Sequence, residues 1–258
     1  MIARIMGSCI ALMAITLISD VQARTMEEIE KSGNIIIGTY GNFRPFTYFE
    51  DGKFTGFEVD VGNEIAKRLN LIPEWKPMEF DSLLTGLAQD RWDMVIASFG
   101  ITEERSKAVL FTEPHYCTGG SIVSTKPEIK TARDLDGKKV SVQTGSTYFL
   151  ALQKIPGVQI RNTSSDNARN ALLSGKVDAW VTDKFVALMM QQKTQDSNGS
   201  APPIYLGNML FTERVATAVK KNNTVLAARY NQALNEMLKD GTYETISNKW
   251  FEEDVRCK

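Results

Sequence analysis

The chain has 258 residues, and its composition excludes several classes of protein. Apolar residues make up 43% of it and charged residues 24%, which is typical of a globular protein and not of a disordered one. The formal net charge of −1 leaves no basic surplus for holding nucleic acid or an anionic membrane surface. With one histidine, His115, and no CxxC spacing, we expect no metal site and no other cofactor.

The first 23 residues have the pattern of a secretory signal peptide. Arg4 gives a positively charged start, residues 5–18 form an apolar run, and Val21 and Ala23 place short side chains before a cleavage site. The run is short for a membrane span, and no later segment approaches about 20 apolar residues. We therefore expect cleavage after Ala23 and export of a soluble mature chain.

Export determines which cysteines remain in the mature chain and whether they can form a disulfide. Cys9 leaves with the signal peptide, so Cys117 and Cys257 remain as an even pair in a compartment where disulfides persist. A disulfide between them would close a loop of about 140 residues and stabilise the native state by several kcal/mol in the chain-entropy model. Two reduced, buried thiols are the alternative, and the sequence leaves both open.

The mature sequence alternates predicted strands and helices, which indicates βαβ units and parallel sheets in two lobes. The predicted elements are, in chain order, a strand at 35–37, a helix with Val61, Ile65 and Leu69 on one face, a strand at 74–78, a helix at 83–88, a strand at 94–97, a strand reaching 142, a helix at 147–152, a polar loop at 192–203, and a long helix that ends at Gly241.

The segment from Asp93 to Arg105 gives the strongest indication of a binding site. A buried strand runs into a helix that Thr102 can cap, and Arg105 follows one turn into that helix. In open α/β sheets, small ligands bind at the carboxyl ends of strands, and a guanidinium there can hold a carboxylate through two charge-assisted hydrogen bonds. The alternative is a surface arginine that pairs with a nearby acid, namely Asp90, Glu103 or Glu104.

A weak internal repeat extends this interpretation, because residues 83–98 resemble residues 172–183. Each segment ends its strand on a polar side chain, Ser98 in the first and Asp183 in the second. Two similar half-sheets of this kind predict a cleft between lobes, although chance similarity remains an alternative. In such a cleft, Arg105 and Asp183 complement the carboxylate and the ammonium of a free amino acid.

Further candidates lie elsewhere in the sequence. Thr147 follows Gly145 and Ser146 at a predicted helix start, where free N–H groups can face a carboxylate. Three residues could supply aromatic walls for a ligand, although each of them taken alone fits a core position better: Tyr40, Phe43 and Phe80.

Several ordered motifs of the mature chain resemble the amino-acid-binding periplasmic solute-binding proteins of ABC importers. They include FEVDVGNEIAKRL, DMVIASFGITEER, VSVQTGST and LKDGTYETISNKWF. The resemblance implies an α/β fold of two lobes, each a central, mostly parallel sheet flanked by helices, with the ligand cleft between them. The chain would cross between lobes near 117–121 and 207–213, which assigns 24–116 and 212–258 to lobe 1 and 117–211 to lobe 2.

The same resemblance implies a function and a set of roles. The protein would be a periplasmic, monomeric binding component that closes on a free amino acid about a hinge and delivers it to a membrane permease, without catalysis. The implied contacts are Phe43 and Phe80 on either side of the ligand, Ser98 and the backbone near Gly100 on its carboxylate or ammonium, Arg105 and the Thr147 N–H on its carboxylate, and Asp183 on its ammonium.

The sequence does not decide which amino acid is bound. Tyr40 stands where binders of basic amino acids tend to carry an acidic residue, and Ala97 replaces a common serine or threonine. These departures favour a polar uncharged, aromatic or sulfur-containing amino acid. Arg44 and Gln143 favour an acidic or amide side chain instead.

Two other functions remain as alternatives. A periplasmic cyclohexadienyl dehydratase uses the same fold, in which case Asp183, Glu113 or Glu213 would act as a general acid. A sensor that feeds a signalling receptor would use the same ligand site. Against catalysis, Arg105 and Asp183 suit a zwitterion that is held and not consumed.

Overall fold

The computed structural model describes residues 24–195 and 202–257. The predicted signal peptide at 1–23 and its cleavage site lie outside the described residues. Within the described ranges, every helix is too short or too polar to cross a membrane.

Helices and strands alternate along most of the described chain. The helices are α1 (Met26–Ser32), α2 (Phe57–Arg68), α3 (Leu83–Ala88), α4 (Glu103–Ala108), α5 (Thr147–Leu152), α6 (Ser165–Leu173), α7 (Lys184–Gln195), α8 (Thr224–Asp240) and α9 (Thr242–Phe251). The strands are β1 (Asn34–Thr39), β2 (Asn42–Phe43), β3 (Thr47–Glu50), β4 (Lys53–Thr55), β5 (Ile72–Pro77), β6 (Met94–Val95), β7 (Val109–Ser124), β8 (Lys139–Gln143), β9 (Gln159–Thr163), β10 (Ala179–Asp183) and β11 (Tyr205–Lys220).

Two parallel half-sheets are joined through two long strands. The order across the sheet is β5-β1-β6-β11-β7-β10-β8-β9, with parallel pairing at either end and antiparallel pairing around β7 and β11. This is the expected two-lobed α/β fold, in which each half-sheet belongs to one lobe. The predicted crossings near 117–121 and 207–213 fall inside β7 and β11, while the lobe boundaries themselves stay a prediction.

Local signals in the sequence fix several ends of these elements. The Thr102 hydroxyl accepts the Arg105 backbone N–H at 3.1 Å and begins α4, as predicted. The Ser146 hydroxyl caps α5 in the same way. Gly241 ends α8 with φ of 82°, a left-handed conformation that glycine adopts without strain. Each cap satisfies backbone groups that a helix end otherwise leaves unpaired.

Three predicted boundaries are wrong. The loop placed at 192–203 starts too early, because α7 continues through residue 195. The strand placed at 94–97 is only two residues long, since the chain leaves the sheet to form the turn at residue 98. The strand placed at 74–78 spans Ile72–Pro77 instead, so its prolines did not prevent pairing at this outer strand of the sheet.

The C-terminal segment is attached to the centre of the molecule. Cys117 of β7 forms a disulfide with Cys257, with 4.9 Å between their Cα atoms. The Cys117 backbone N–H also donates to the carbonyl oxygen of Val255 at 3.0 Å. The segment after α9 is therefore held beside one of the two strands that join the lobes.

Candidate functional site

Arg105 bridges the two lobes. Its guanidinium donates to the carbonyl oxygen of Gly100 at 2.7 Å and to that of Gly145, in the other lobe, at 2.9 Å. Its Cζ atom lies 4.8 Å from the centre of the Phe99 ring. Burial lowers the pKa of Arg105, an effect that the nearby Glu213 opposes. The guanidinium is thus directed into the cleft and not toward a surface acid.

Aromatic rings form one wall beside Arg105. Phe80 stacks on Phe99 with ring centres 4.3 Å apart, and Tyr40 meets Phe80 edge to face at 6.5 Å. Burial, the largest effect, raises the pKa of Tyr40 to about 12, while the backbone N–H of Ser165 lies against its hydroxyl and lowers that pKa. Tyr40 therefore spans from the first lobe to the second.

Ser98 is held by a buried carboxylate beneath the turn. Its backbone N–H and its hydroxyl each donate to Glu58 at 2.9 Å, and Nε2 of His115 lies 2.8 Å from the same carboxylate. Ser98 has φ of 55°, a strained backbone conformation for a residue with a side chain. These bonds hold the turn in place. A direct contact between Ser98 and a ligand stays a prediction.

Glu213 lies over Gly100. No local signal in the sequence predicted this placement of Glu213. Gly100 pairs with Val215 of β11 in an isolated bridge, which brings Glu213, two residues earlier, above the glycine. A Cβ atom at Gly100 would lie 1.8 Å from Oε2 of Glu213, so a side chain at this position would displace the carboxylate. The sequence named Glu213 only as a general acid in the catalytic alternative.

The Glu213 carboxylate is buried and poorly paired. Burial raises its pKa, while the side chains of Thr147 and Tyr148 and the charge of Arg105 lower it. Although these groups lie against it, neither carboxylate oxygen accepts a hydrogen bond of standard geometry within the described residues. Such a group gains from a donor that arrives with a ligand.

Asp183 is fully buried at the end of β10. Its carboxylate accepts hydrogen bonds from the Thr118 hydroxyl and from the Phe185 backbone N–H, each at 2.7 Å. Burial raises its pKa to about 7, and these two hydrogen bonds oppose the shift. The second bond caps the first turn of α7. Asp183 thus has a structural role, while its contact with a ligand ammonium stays a prediction.

The hydroxyl of Tyr148 lies close enough to three charged groups for each of them to shift its pKa. Burial raises its pKa well above its ordinary value, and the charges of Asp183 and Glu213 raise it further, while Arg105 lowers it. The two acids and the arginine are therefore gathered around one buried phenol. When all three groups are ionised, the two acids exceed the arginine by one negative charge.

Not every predicted residue joins this cluster. Phe43 stacks on Phe46 with ring centres 5.4 Å apart and lines a separate cavity between the lobes. Asp90, offered as a surface partner of Arg105, pairs with Lys220 at 2.6 Å instead. In the described parts of the chain, no group of three or more His, Cys, Asp or Glu side chains is placed to hold a metal ion.

Comparisons with known proteins agree on one family. The model for bacterial extracellular solute-binding proteins, family 3, matches residues 35–253. The L-cystine-binding protein of Escherichia coli strain K12 is 33% identical over 255 residues, a match that covers 94% of this chain and 94% of that protein.

Solved structures give the same result. An ancestral arginine-binding protein bound to arginine has a TM-score of 0.80 and 39% identity, covering 85% of this chain and 98% of its own. An ancestral amino acid-binding protein described as a precursor of cyclohexadienyl dehydratase has a TM-score of 0.81 and 31% identity, covering 88% and 99%.

Proposed function

The chain belongs to the bacterial extracellular solute-binding proteins of family 3, and we propose that it is the periplasmic binding component of an amino-acid ABC importer. In this role it captures a free amino acid between its lobes and delivers it to a permease in the inner membrane. The observation that carries the proposal is Arg105, which reaches across the cleft to Gly145 beside the buried Asp183 and Glu213.

Closure around the ligand follows from this geometry. Arg105 has five N–H donors, and the bonds to Gly100 and Gly145 use two of them. The remaining donors are available to a ligand carboxylate, and Asp183 accepts the ammonium. A ligand that contacts both lobes binds the closed form better than the open one, so it shifts the population toward closure. The permease then recognises the closed form.

The names of the relatives suggest different ligands. One relative binds L-cystine and a structural neighbour holds arginine. We propose a ligand other than lysine or arginine, because the position expected to hold an acidic partner for a basic side chain carries Tyr40, whose hydroxyl meets Ser165.

We propose binding without catalysis. The Asp183 carboxylate already accepts bonds from Thr118 and from the α7 backbone, which suits a group that holds an ammonium in place. Because a raised pKa at Asp183 would also suit a general acid, the choice rests on Arg105 and Asp183 together, which complement both charges of a zwitterion that is held and not consumed. Incubation with a cyclohexadienyl substrate separates the two functions, since we expect no product.

Calorimetry tests the proposal most directly. The mature chain, beginning at Arg24, is titrated with each common amino acid and with L-cystine. We expect at least one ligand with micromolar or tighter affinity, and loss of that binding in Arg105→Ala. If no amino acid or amino-acid derivative binds the wild-type chain, the proposed function is wrong.

A further inference from the structure

A cavity between the lobes lies beside the charged residues Arg105, Asp183 and Glu213, which we call the head-group cluster. It has a volume of about 480 Å3, within the range of small-molecule pockets, and separates the β2–β3 hairpin from α6 and α7. Its lining residues are Asn42, Phe43, Arg44, Tyr48, Phe49, Ser165, Asp166, Arg169, Leu173, Trp180, Val186, Met189, Met190, Lys193 and Thr194. We call it the outer cavity.

Two contacts place the outer cavity next to the head-group cluster. The backbone N–H of Val186, a lining residue, lies 3.4 Å from the Asp183 carboxylate. Ser165, another lining residue, meets the hydroxyl of Tyr40. Trp180 precedes Asp183 by three residues on β10. A ligand held at Asp183 therefore has its side chain within reach of this space.

The lining of the outer cavity carries charges of both signs. Arg44, Arg169 and Lys193 supply three cations to the lining, and Asp166 supplies one carboxylate. Arg44 stacks on Tyr48 with its Cζ atom 3.7 Å from the ring centre, and Arg169 pairs with Asp166 at 3.1 Å. Arginine side chains in such positions are suited to a carboxylate, and Asp166 to an ammonium.

Part of the lining of the outer cavity is apolar and polarisable, and it includes one polar group without a partner in the described part of the chain. Met189, Met190 and Val186 line it together with Trp180, and methionine sulfur makes favourable contacts with aromatic and polarisable groups. Trp180 is 1% exposed, and its indole N–H has no hydrogen-bond acceptor within the described residues. A buried donor of this kind costs stability unless a ligand supplies the acceptor.

We infer that the outer cavity is a subsite for the far end of an elongated ligand, which carries a second carboxylate and a second ammonium joined to the first pair by an apolar or sulfur-containing chain. The first pair binds at Arg105 and Asp183, and the second at Arg169 and Asp166. L-cystine belongs to this chemical class. The subsite presupposes the proposed function, because it extends the ligand already placed in the cleft.

Calorimetry with paired ligands tests the subsite. L-cystine carries two zwitterionic ends, S-methyl-L-cysteine keeps the sulfur with one end, and L-glutamate adds a carboxylate without an ammonium. We expect the wild-type chain to bind L-cystine at least about tenfold more tightly than either of the others. Equal affinity for L-cystine and S-methyl-L-cysteine, or tighter binding of L-glutamate, would overturn the inference.

A matched pair of variants locates the effect. Arg169→Gln removes the cation of a half-exposed ion pair in the outer cavity, and Arg229→Gln does the same to the Arg229–Glu30 pair on α8, outside that lining. We expect Arg169→Gln to weaken L-cystine binding by about tenfold and to leave S-methyl-L-cysteine unchanged, while Arg229→Gln changes neither.

The outcomes separate this inference from the proposed function. If Arg169→Gln weakens both ligands equally, or weakens neither, the outer cavity is not a subsite although amino-acid binding stands. If neither ligand nor any other amino acid binds the wild-type chain, the proposed function itself fails. Unchanged circular dichroism of both variants verifies that each one folds.

Discussion

Two glutamates lie against the turn at residues 98–100, and their carboxylates differ in the hydrogen bonds that they accept. Glu58 of α2 is completely buried, and three polar groups of Ser98 and His115 lie within hydrogen-bond distance of its carboxylate. Glu213 of β11 lies over Gly100, and neither of its oxygens accepts a hydrogen bond of standard geometry from the part of the chain that the structure describes. One carboxylate is fully partnered within the chain, whereas the other is not.

The difference distinguishes a carboxylate that supports the turn from one that is available to a ligand. A buried polar group with all its partners stabilises a unique arrangement, while one without them costs free energy. The region under Ser98 therefore holds the turn, and the region over Gly100 is left for a partner that comes from outside. Arg105 and Asp183 belong to this second region, which we call the open side of the turn.

The largest expected effect is on the supporting side. Glu58→Ala leaves the Ser98 N–H and hydroxyl without their acceptor and removes the partner of the His115 ring, so we expect the free energy of unfolding to fall by about 3 kcal/mol or more. Urea unfolding measures this loss. A change below about 1 kcal/mol would show that the turn holds without Glu58.

On the open side, Arg105→Ala acts on binding. It leaves the ligand carboxylate without its charged donor in a desolvated cleft, so we expect affinity to fall by about 2 kcal/mol, roughly thirtyfold. Calorimetry with the best ligand measures the loss. Arg229→Ala, which removes a half-exposed arginine, is the control and retains wild-type affinity. Unchanged affinity in Arg105→Ala would move the binding site elsewhere.

Asp183 should make ligand binding depend on pH. Because its pKa is about 7, the empty protein holds a proton there at about pH 6, and an arriving ammonium displaces it. We expect release of close to one proton per ligand at about pH 6 and almost none above about pH 8. Titrations in buffers of different ionisation enthalpy count the protons, and Asp183→Asn is expected to abolish the difference between buffers.

The same pKa has a consequence for stability. Since the folded value lies above the ordinary value of 3.8, the unfolded chain loses this proton first as pH rises. Asp183 therefore lowers the free energy of unfolding of the empty protein between about pH 4 and about pH 7, and has no further effect above that range. An Asp183→Asn protein whose stability follows the wild-type curve across this range would contradict the assignment.

The smallest expected effect sharpens the contrast with Glu58. Glu213→Gln removes a buried, unpaired charge, so we expect the empty protein to gain about 1 kcal/mol of unfolding free energy at neutral and alkaline pH. The gain shrinks as pH falls, because wild-type Glu213 takes up a proton at its raised pKa. Thermal unfolding measures the gain, and Glu128→Gln at the exposed surface is the control. A loss of stability would mean that Glu213 is a supporting residue like Glu58.

Much of the fold could be predicted because its signals are local. Thr102 and Gly241 act within one helical turn, so the ends they set follow from the sequence alone. The alternation of strands and helices likewise indicated two half-sheets. The predicted end of α7 was too early, because polar residues such as those at 192–195 are equally compatible with a loop and with the last turn of a helix.

The site was only partly predictable for the opposite reason. Arg105 lies on a helix that the sequence defines, and its position followed from that helix. Glu213 reaches Gly100 through a bridge between residues that are more than 110 positions apart, and Glu58 reaches Ser98 from 40 positions away. No periodicity or sequence motif predicts a contact between residues this far apart in the chain. The bridge formed by Arg105 to Gly145 depends in addition on how the two lobes meet.

The disulfide between Cys117 and Cys257 has a covalent consequence. It joins positions 140 residues apart, so α5, α6, α7 and the return strand β11 all lie inside one closed ring. A single proteolytic cut inside that ring leaves two fragments that stay attached until a reductant is added. A nicked molecule therefore runs as a full-length chain on a non-reducing gel and separates into two bands only after reduction.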